Sequence, residues 1–165
     1  MEKVDRVLVS LRQIIRALDS HSRQLSQDHG LTVPQLVLLK EIGRCGSVSV
    51  GDLAREVSLS QATVTSILDR LEQRQLMTRK RGESDKRLVY VQLTMQGKTV
   101  LAGAPPLLQE QFVESFENLK DWEQSLILSS LERVADMMGI MDEGAAPMLT
   151  IGSISPSDSP SPPRS

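Results

Sequence analysis

The sequence has few of the residues that form disulfides, metal sites or aromatic pockets. Its 165 residues include one cysteine, two histidines and only four aromatic side chains. A single cysteine cannot form an internal disulfide, and a lone thiol is typical of a reducing cytoplasm. His21 and His29 lie far from Cys45 in the sequence and lack the spacing of a ligand set, so we expect no metal and no other cofactor.

Long apolar runs are absent as well, because no stretch approaches the roughly 20 apolar residues that a membrane-spanning helix requires. The first residues show neither a short apolar block nor a cleavage site typical of export. The sequence also has no Gly-rich phosphate loop, no nucleophile elbow and no paired His, Asp and Cys arrangement. We therefore expect a cytoplasmic protein with no membrane contact, no enzymatic activity and no catalytic residues.

Acidic and basic residues are unevenly distributed, although the net charge of the chain is only −2. Residues 60–98 contain eight Lys and Arg against four Asp and Glu, a net charge of +4. Residues 108–143 contain two Lys and Arg against nine Asp and Glu, a net charge of −7. The basic segment could face a polyanion whatever the total charge, because a polyanion responds to the local basic face.

Apolar residues at intervals of three and four predict amphipathic helices in the first part of the chain. The first helix is predicted from about residue 3 to 28 and ends before Gly30. Thr32 and Gln35 have the spacing of a capping box, which begins a second helix. A third, short helix is predicted to begin at Ser49, and a fourth begins at either Ser58 or Ser60.

The spacing of apolar residues changes to two after residue 76, which predicts strands. A strand at 77–81 and a second strand ending at 93 would be joined by the polar run 82–87. Two helices are predicted to follow, and Pro105-Pro106 would kink the first of them or make it restart. The last helix is predicted to begin at Asp121.

The order of these elements predicts a mainly α fold: a winged helix-turn-helix with a two-stranded wing, flanked by N- and C-terminal dimerisation helices. The predicted parts are a dimerisation helix at 3–30, a DNA-binding lobe at 32–98, dimerisation helices at 99–142 and a disordered tail at 144–165. The tail is rich in Gly, Ala, Ser and Pro and cannot bury enough apolar surface to offset its ordering entropy. A Pro-rich docking ligand at 155–165 is the alternative.

The helix predicted at 60–74 is the element that would enter the major groove of DNA, which is wide enough to admit a helix. On its polar face, a glutamine could pair with the edge of an adenine and an arginine could bind guanine or phosphate. The hydroxyl groups could contact phosphates or bases. The candidate contacts are Ser60, Gln61, Thr63, Thr65, Ser66 and Arg70. The alternative is that they form only the solvated face of an amphipathic helix.

The predicted wing, 77–93, crowds basic residues into a short hairpin, and a polyanion would relieve their mutual repulsion. The wing candidates for DNA contact are Arg79, Arg81, Lys86 and Arg87. Arg87 is the best candidate for a narrow minor groove, with Asp85 holding its guanidinium. A solvated charge cluster with an ordinary surface ion pair is the alternative.

Several short motifs resemble the multiple-antibiotic-resistance regulator (MarR) family. They are Asp52-Leu53-Ala54-Arg55, Ser60-Gln61-Ala62-Thr63-Val64-Thr65, Leu68-Asp69-Arg70-Leu71-Glu72, and Asp85-Lys86-Arg87 followed by Leu93-Thr94. The resemblance covers about residues 4–142. It implies a bacterial, cytoplasmic, dimeric regulator of nearby genes, whose control is often relieved by a small ligand or by oxidation. It also assigns DNA contact to the residues named above from 60 to 70 and to Arg87, with Asp85 as the support of Arg87. Gln75 departs from the pattern, because the family usually has a left-handed glycine there.

The N-terminal stretches 7–12, 15–17 and 21–25 are similar to a subgroup that includes repressors of compatible-solute (ectoine) synthesis. This similarity implies a response to osmotic stress, with osmolarity or ionic strength as the signal. The steep salt dependence of phosphate contacts offers a physical route for such a response. The sequence leaves open whether the effector is ionic or a small molecule.

Tight specific binding requires two winged units, because one makes too few contacts, and their recognition helices should lie one helical turn, about 34 Å, apart. The apolar stripes of the first and last helices are the available dimerisation surfaces. Their predicted interface residues are Val7, Leu11, Ile14, Trp122, Leu126, Leu131 and Met138. The alternative is that both stripes close the core of a single chain.

The sequence thus predicts a transcriptional regulator, specific for double-stranded DNA, that acts as a homodimeric repressor on a pseudo-palindromic operator. A winged-helix protein-protein adaptor that does not bind DNA is the alternative, because a fold does not by itself fix a function. Redox sensing by Cys45 is a further hypothesis, and burial of the thiol between helices would oppose it.

Overall fold

The structure is a computed structural model, and it describes residues 2–83 and 85–139. These residues form two compact units, one ending at Pro105 and one beginning at Pro106. The helices are α1 (Lys3–His29), α2 (Val33–Cys45), α3 (Val50–Glu56), α4 (Gln61–Gln73), α5 (Met95–Gly103), α6 (Leu108–Glu117) and α7 (Asp121–Met137). The strands are β1 (Val48–Ser49), β2 (Met77–Arg81) and β3 (Val89–Leu93).

Side chains begin the helices of the first unit where the sequence predicts. The Thr32 hydroxyl accepts from the Gln35 backbone N–H, and the Gln35 side chain accepts from the Thr32 N–H at 3.0 Å. This reciprocal pair is the predicted capping box of α2. Ser49 caps α3 and Ser60 caps α4, which decides between the two serines considered for α4.

The C-terminal helices agree with the prediction at Pro105-Pro106 and differ from it by one residue at the start of α7. α5 ends at Gly103 and α6 begins at Leu108, so the chain makes a new helix after Pro105-Pro106. Proline has no backbone N–H and clashes with the preceding turn, which explains the interruption. The N-cap of α7 is Lys120, whose backbone N–H donates to the Glu123 carboxylate at 3.0 Å, and Asp121 is already the first helical residue.

The sheet has three strands in the order β1-β3-β2, and both pairs are antiparallel. The predicted wing corresponds to β2 and β3, which pair from Met77 opposite Leu93 to Arg81 opposite Val89. The sequence analysis missed β1, in which Val48 pairs with Val91. A strand of two residues has no alternating pattern to read, and only its position beside β3 defines it.

The core of the first unit lies where α2 packs against α3, α4, α5 and β3. Its fully buried side chains come from helices and strands alike and include Leu36, Leu39, Ile42, Leu53, Val64, Leu68, Leu71 and Val91. Each fully buried large apolar side chain contributes about 1.5–3 kcal/mol to the favourable free energy of folding. The core fixes α4 and the wing as parts of one lobe.

Some predictions fall on residues that the structure does not describe. The tail at 144–165 and the end of the C-terminal dimerisation range, 140–142, lie outside the described residues, as does Ser84 in the turn of the wing. Within residues 2–83 and 85–139, no helix combines the length and the apolar character that crossing a membrane demands.

Candidate nucleic-acid interface

Helix α4 separates an apolar face from a polar one. Val64, Ile67, Leu68 and Leu71 are buried against the lobe. Gln61 and Thr65 on the opposite side are exposed, whereas Thr63, Ser66 and Arg70 are partly exposed. The polar face can therefore approach a ligand without disturbing the core, as a recognition helix must.

Hydroxyl groups organise the N-terminal turn of α4. The Ser60 Oγ accepts from the Thr63 backbone N–H at 3.1 Å and lies 2.7 Å from the Thr63 Oγ1. The Thr65 hydroxyl donates to the Gln61 carbonyl at 2.8 Å. The first backbone N–H groups of a helix have no partner within it and favour an anion such as a phosphate.

The wing presents most of its predicted basic residues to solvent. Arg81 lies at the end of β2, and Lys86 and Arg87 lie in the turn before β3; all three side chains are exposed. The hairpin is closed by the Gly82 N–H, which donates to the Leu88 carbonyl at 2.9 Å. A Cβ on Gly82 would lie 2.6 Å from the Asp85 carbonyl oxygen, so glycine is required for this close turn.

Asp85 supports Arg87 through the backbone. Its carboxylate accepts from the Arg87 backbone N–H at 2.9 Å, two residues ahead, which is the geometry of an Asx-turn. The prediction that Asp85 holds the Arg87 guanidinium needs correction on this point, because the hydrogen bond goes to the main chain. The carboxylate thus shapes the turn that carries the arginine.

Arg79 differs from the other basic residues of the wing, because its guanidinium is tied to α4. Nη1 lies 2.7 Å from the Asp69 carboxylate and 2.8 Å from the Glu72 carboxylate, and the side chain is only 24% exposed. Nη2 donates to the Thr65 carbonyl at 3.3 Å. Arg79 was predicted to contact DNA; in the structure its guanidinium joins β2 to α4.

A surface cleft of about 570 Å³ brings α4 and the wing together. Gln61 and Thr65 line it from α4, and Arg79 and Arg87 line it from the wing. The remaining lining residues are Ser49, Val50, Gly51, Leu88 and Val89, which the sequence analysis did not select. The segment 49–51 follows β1, so the strand that escaped prediction also completes the cleft.

The predicted dimerisation residues are not core residues of the single chain. Most are strongly exposed: Val7 48%, Ile14 51%, Trp122 62%, Leu126 59%, Leu131 48% and Met138 63%. Leu11 is partly exposed. Within α1 only Leu25 is buried, and α7 has no buried residue among those described. The exposed stripes do not favour the alternative that they close the core of one chain.

Gln75 follows α4 at the position where the sequence departs from the MarR pattern. It takes a left-handed backbone conformation, with φ of +58°, although it is not a glycine. Its carbonyl accepts from the Thr94 hydroxyl at 2.7 Å. The geometry that glycine usually supplies is thus retained here by a residue for which it is strained.

Cys45 is exposed at the C-terminal end of α2, and not buried between helices. Its thiol donates to the Glu41 carboxylate at 3.3 Å. This hydrogen bond is the largest of the effects that raise the pKa of Cys45, because it stabilises the protonated thiol. The pKa of Glu41 is lowered, mainly by its hydrogen bond from Arg44. A raised pKa disfavours the reactive thiolate and therefore opposes redox sensing by Cys45. The main cause is the hydrogen bond to Glu41 and not the burial between helices that the sequence analysis considered.

Comparisons with known proteins agree with this geometry. A model of the MarR family matches residues 31–89. The uncharacterised HTH-type transcriptional regulator YhbI of Bacillus subtilis (strain 168) is 31% identical over 111 residues, which are 63% of this chain and 72% of YhbI. The HTH-type transcriptional repressor MdtR of the same organism is 27% identical over 106 residues, which are 62% of this chain and 68% of MdtR.

A solved structure extends the similarity to most of the chain. BpsR from Bordetella bronchiseptica is 29% identical in sequence to this chain. Its structure was solved to explain how 6-hydroxynicotinic acid regulates its DNA binding. It covers 79% of this chain and 99% of BpsR, with a TM-score of 0.54. The resemblance seen in the sequence motifs and the predicted fold class are both confirmed. The chain belongs to the MarR family of winged-helix transcriptional regulators.

Proposed function

We propose that this MarR-family regulator binds double-stranded DNA as a homodimer and represses transcription from a pseudo-palindromic operator. One observation carries the proposal: Gln61 and Thr65 of α4 and Arg87 of the wing line the same cleft. A helix that reads base edges and a cation that reaches the neighbouring groove must lie side by side to engage one stretch of duplex. The cleft provides that arrangement.

The recognition helix supplies the base contacts in this proposal. The exposed amide of Gln61 suits the N6 and N7 edge of adenine, and the exposed Thr65 can contact a thymine methyl group. Ser60, Thr63 and Ser66 would contact phosphates beside the first turn of α4. Arg70 would grip guanine or phosphate from the next turns of the helix.

The wing supplies affinity and the minor-groove contact. Arg81, Lys86 and Arg87 are exposed, and their charges are placed to neutralise phosphates and release counterions. Arg87 stands in the turn that Asp85 shapes, which suits insertion into a narrow minor groove. We assign Arg79 to the placement of the wing and not to direct contact, because acidic side chains already surround its guanidinium.

The exposed apolar residues of α1 and α7 are the basis for the homodimer. Large apolar side chains on one face of a helix commonly mark a protein-protein interface. In this proposal the dimerisation elements are 3–30 and 99–142, and the DNA-binding lobe is 32–98. The acidic balance of 108–143 would keep the C-terminal helices away from DNA and direct the basic lobe towards it.

Repression and release by an effector are proposed from the relatives. MdtR is a repressor, and BpsR has its DNA binding regulated by a small aromatic acid. We infer a cytoplasmic location in a bacterium, in agreement with the organisms of these relatives. An effector of small-molecule or ionic nature, including the osmotic signal implied by residues 7–25, remains part of the proposal.

Selection of bound sequences from random duplex DNA tests this function. The expected result is a two-fold symmetric consensus, whose affinity falls steeply with salt. Arg87→Ala should weaken binding by about 1–3 kcal/mol, whereas Arg23→Ala, which removes the same charge from α1, should leave binding nearly unchanged. If no sequence is enriched and no salt-dependent binding to duplex DNA is found, DNA binding is refuted and the protein-protein adaptor is favoured.

A further inference from the structure

The turn that follows the recognition helix contacts two other helices through three consecutive residues, Arg74, Gln75 and Leu76. The Arg74 Nη1 donates to the carbonyl oxygen of Gly30 at 2.5 Å, across 44 positions of sequence. Gln75 and Leu76 are held on the other side by the residues that begin α5. We call residues 74–76 the exit turn of α4.

The contact with α1 is made at the point where that helix ends. Gly30 caps α1 with φ of +62°, and its own N–H donates to the Ser26 carbonyl at 2.9 Å. A Cβ on Gly30 would lie 3.3 Å from the Arg74 Nη2, so the guanidinium lies against the α-carbon as well as the carbonyl. The orientation of α4 is thereby tied to the last turn of α1.

The contact with α5 is equally close. The Gln75 carbonyl accepts from the Thr94 hydroxyl at 2.7 Å, and the Leu76 carbonyl accepts from the Thr94 backbone N–H at 3.1 Å. A Cβ on Gly97 would lie only 1.9 Å from the Leu76 carbonyl oxygen, so no side chain fits between α5 and the exit turn. This side is fixed by close main-chain packing, and on the α1 side Arg74 donates to the Gly30 carbonyl.

The exit turn follows the C-terminal end of α4, whereas Ser60, Gln61 and Thr63 lie at its N-terminal end and would move furthest in a rotation about the exit turn. α4 has 13 residues, so it is about 20 Å long at about 1.5 Å per residue. A rotation of about 10° at the exit turn would move the N-terminal end by about 3.5 Å, close to the spacing of about 3.4 Å between successive base pairs. Because α4 buries its apolar face in the core of the lobe, such a rotation would turn the lobe relative to α1 and would displace Gln61 by about one base pair.

We propose that Arg74 is a positioning residue that sets the separation of the two half-sites in the operator. It does so by linking the recognition helix to α1, whose exposed apolar face we assign to the dimer. This inference rests on the proposed function, because only a dimer on a palindrome has a half-site separation to set. Arg74 itself need not touch a base.

The test repeats the selection from random duplex with three variants and compares the separation of the half-sites as well as their sequence. Wild type should enrich one separation and reject those one base pair longer or shorter by at least about tenfold. Arg74→Gln should keep the half-site sequence, because Gln61 and Thr65 are unchanged, but should discriminate between separations by less than about threefold. Arg74→Lys should restore much of the discrimination, since its ammonium can donate to the same carbonyl.

Arg23→Gln is the matched control. It removes the same charge from an exposed arginine whose ion pair, with Asp19, lies within α1. This variant should select the wild-type separation. A loss of phosphate affinity or of stability would weaken all separations together, so broadening caused by Arg74→Gln alone supports the positioning role.

Two results would overturn the inference: an unchanged single separation with Arg74→Gln, or equal broadening with Arg23→Gln. If Arg74→Gln does not fold, Gly30→Ala approaches the same contact from α1 and should also broaden the separation; selection of the wild-type separation by that variant counts against the role of Arg74. Failure of wild type to enrich any symmetric site would instead refute the proposed function, and the spacing role with it.

Discussion

The winged-helix lobe and the helices α1 and α7 have the same kind of amphipathic sequence but bury it to very different degrees. In the lobe, α2 and α4 place side chains such as Leu36 and Leu68 in a core from which solvent is fully excluded. In α7, Leu126 remains 59% exposed. An amphipathic pattern thus predicts that a face will be covered, but it does not say whether by the same chain or by another.

The largest effect should come from the lobe. Leu68 is fully buried on the packed face of α4. Leu68→Ala should lower the free energy of unfolding by about 3 kcal/mol, because it removes apolar contacts and leaves a cavity. Urea denaturation followed by circular dichroism measures this change.

Leu126→Ala makes the same truncation on α7 and so compares this helix with the lobe. At concentrations where the protein is monomeric, this variant should unfold within about 0.5 kcal/mol of wild type, as surface substitutions do. Equal destabilisation by both substitutions under those conditions would mean that α7 is part of the monomer core, and the contrast drawn above would be lost.

The second largest effect should be on assembly. Leu126→Glu places a charge on the exposed apolar face of α7, where a partner chain would have to desolvate it. We expect the dissociation constant of the dimer to rise by about 100-fold, equivalent to about 2.8 kcal/mol. Sedimentation equilibrium across a range of protein concentrations measures it.

Ser125→Glu is the control for that experiment, since it adds the same charge at an exposed polar position one residue away. It should leave the dimer nearly intact. A dimer that survives Leu126→Glu unchanged would show that this part of α7 is not the interface.

How far the sequence could predict the molecule follows from the same contrast. Local signals worked well: the Thr32–Gln35 capping box, the cap at Ser60 and the two strands of the wing form where their residues indicate. Each depends on residues close together in the chain, whose chemistry is nearly independent of the fold.

Long-range contacts escaped prediction, because nothing in the sequence says which distant residues will meet. β1 exists only through its pairing with β3, and the ion pairs of Arg79 join the wing to acidic residues of α4. The hydrogen bond from Arg74 to Gly30 joins residues 44 positions apart, so no local sequence pattern indicates it. The sequence therefore predicted which residues lie in the candidate site better than it predicted which contacts each basic residue makes within the chain.

A smaller effect should come from the exit turn, and it should act on the lobe alone. Gln75 has a left-handed backbone with φ of +58°, which costs a non-glycine residue about 1 kcal/mol. Gln75→Gly should therefore raise the free energy of unfolding by at most about 0.5 kcal/mol, after the larger chain entropy of glycine is subtracted. Thermal unfolding by calorimetry measures it.

Gln73→Gly is the control for that substitution, because Gln73 lies in the last turn of α4 with an ordinary helical backbone. There glycine should destabilise the protein by about 1 kcal/mol. If Gln75→Gly destabilises the protein as much as Gln73→Gly does, the left-handed conformation of Gln75 carries no strain.

The smallest effect should be on the reactivity of Cys45, the only cysteine in the sequence, which is exposed on the surface of the lobe. The hydrogen bond from the Cys45 thiol to Glu41 raises the thiol pKa, so at neutral pH less thiolate is present than in a free cysteine. Alkylation by iodoacetamide should accordingly be slower than for a model thiol, and its rate should reach half-maximum at a higher pH. Glu41→Gln removes the carboxylate and should bring that midpoint down.

The alkylation rate also bears on the comparison between the two regions. Cys45 is at the end of α2 and is not among the apolar residues that we assign to the dimer, so the rate should not change with protein concentration. A rate that falls as the dimer forms would place the end of α2 in the interface. A rate as fast as that of a free thiol, unaltered by Glu41→Gln, would show that Glu41 does not hold the thiol and would reopen redox sensing at this position.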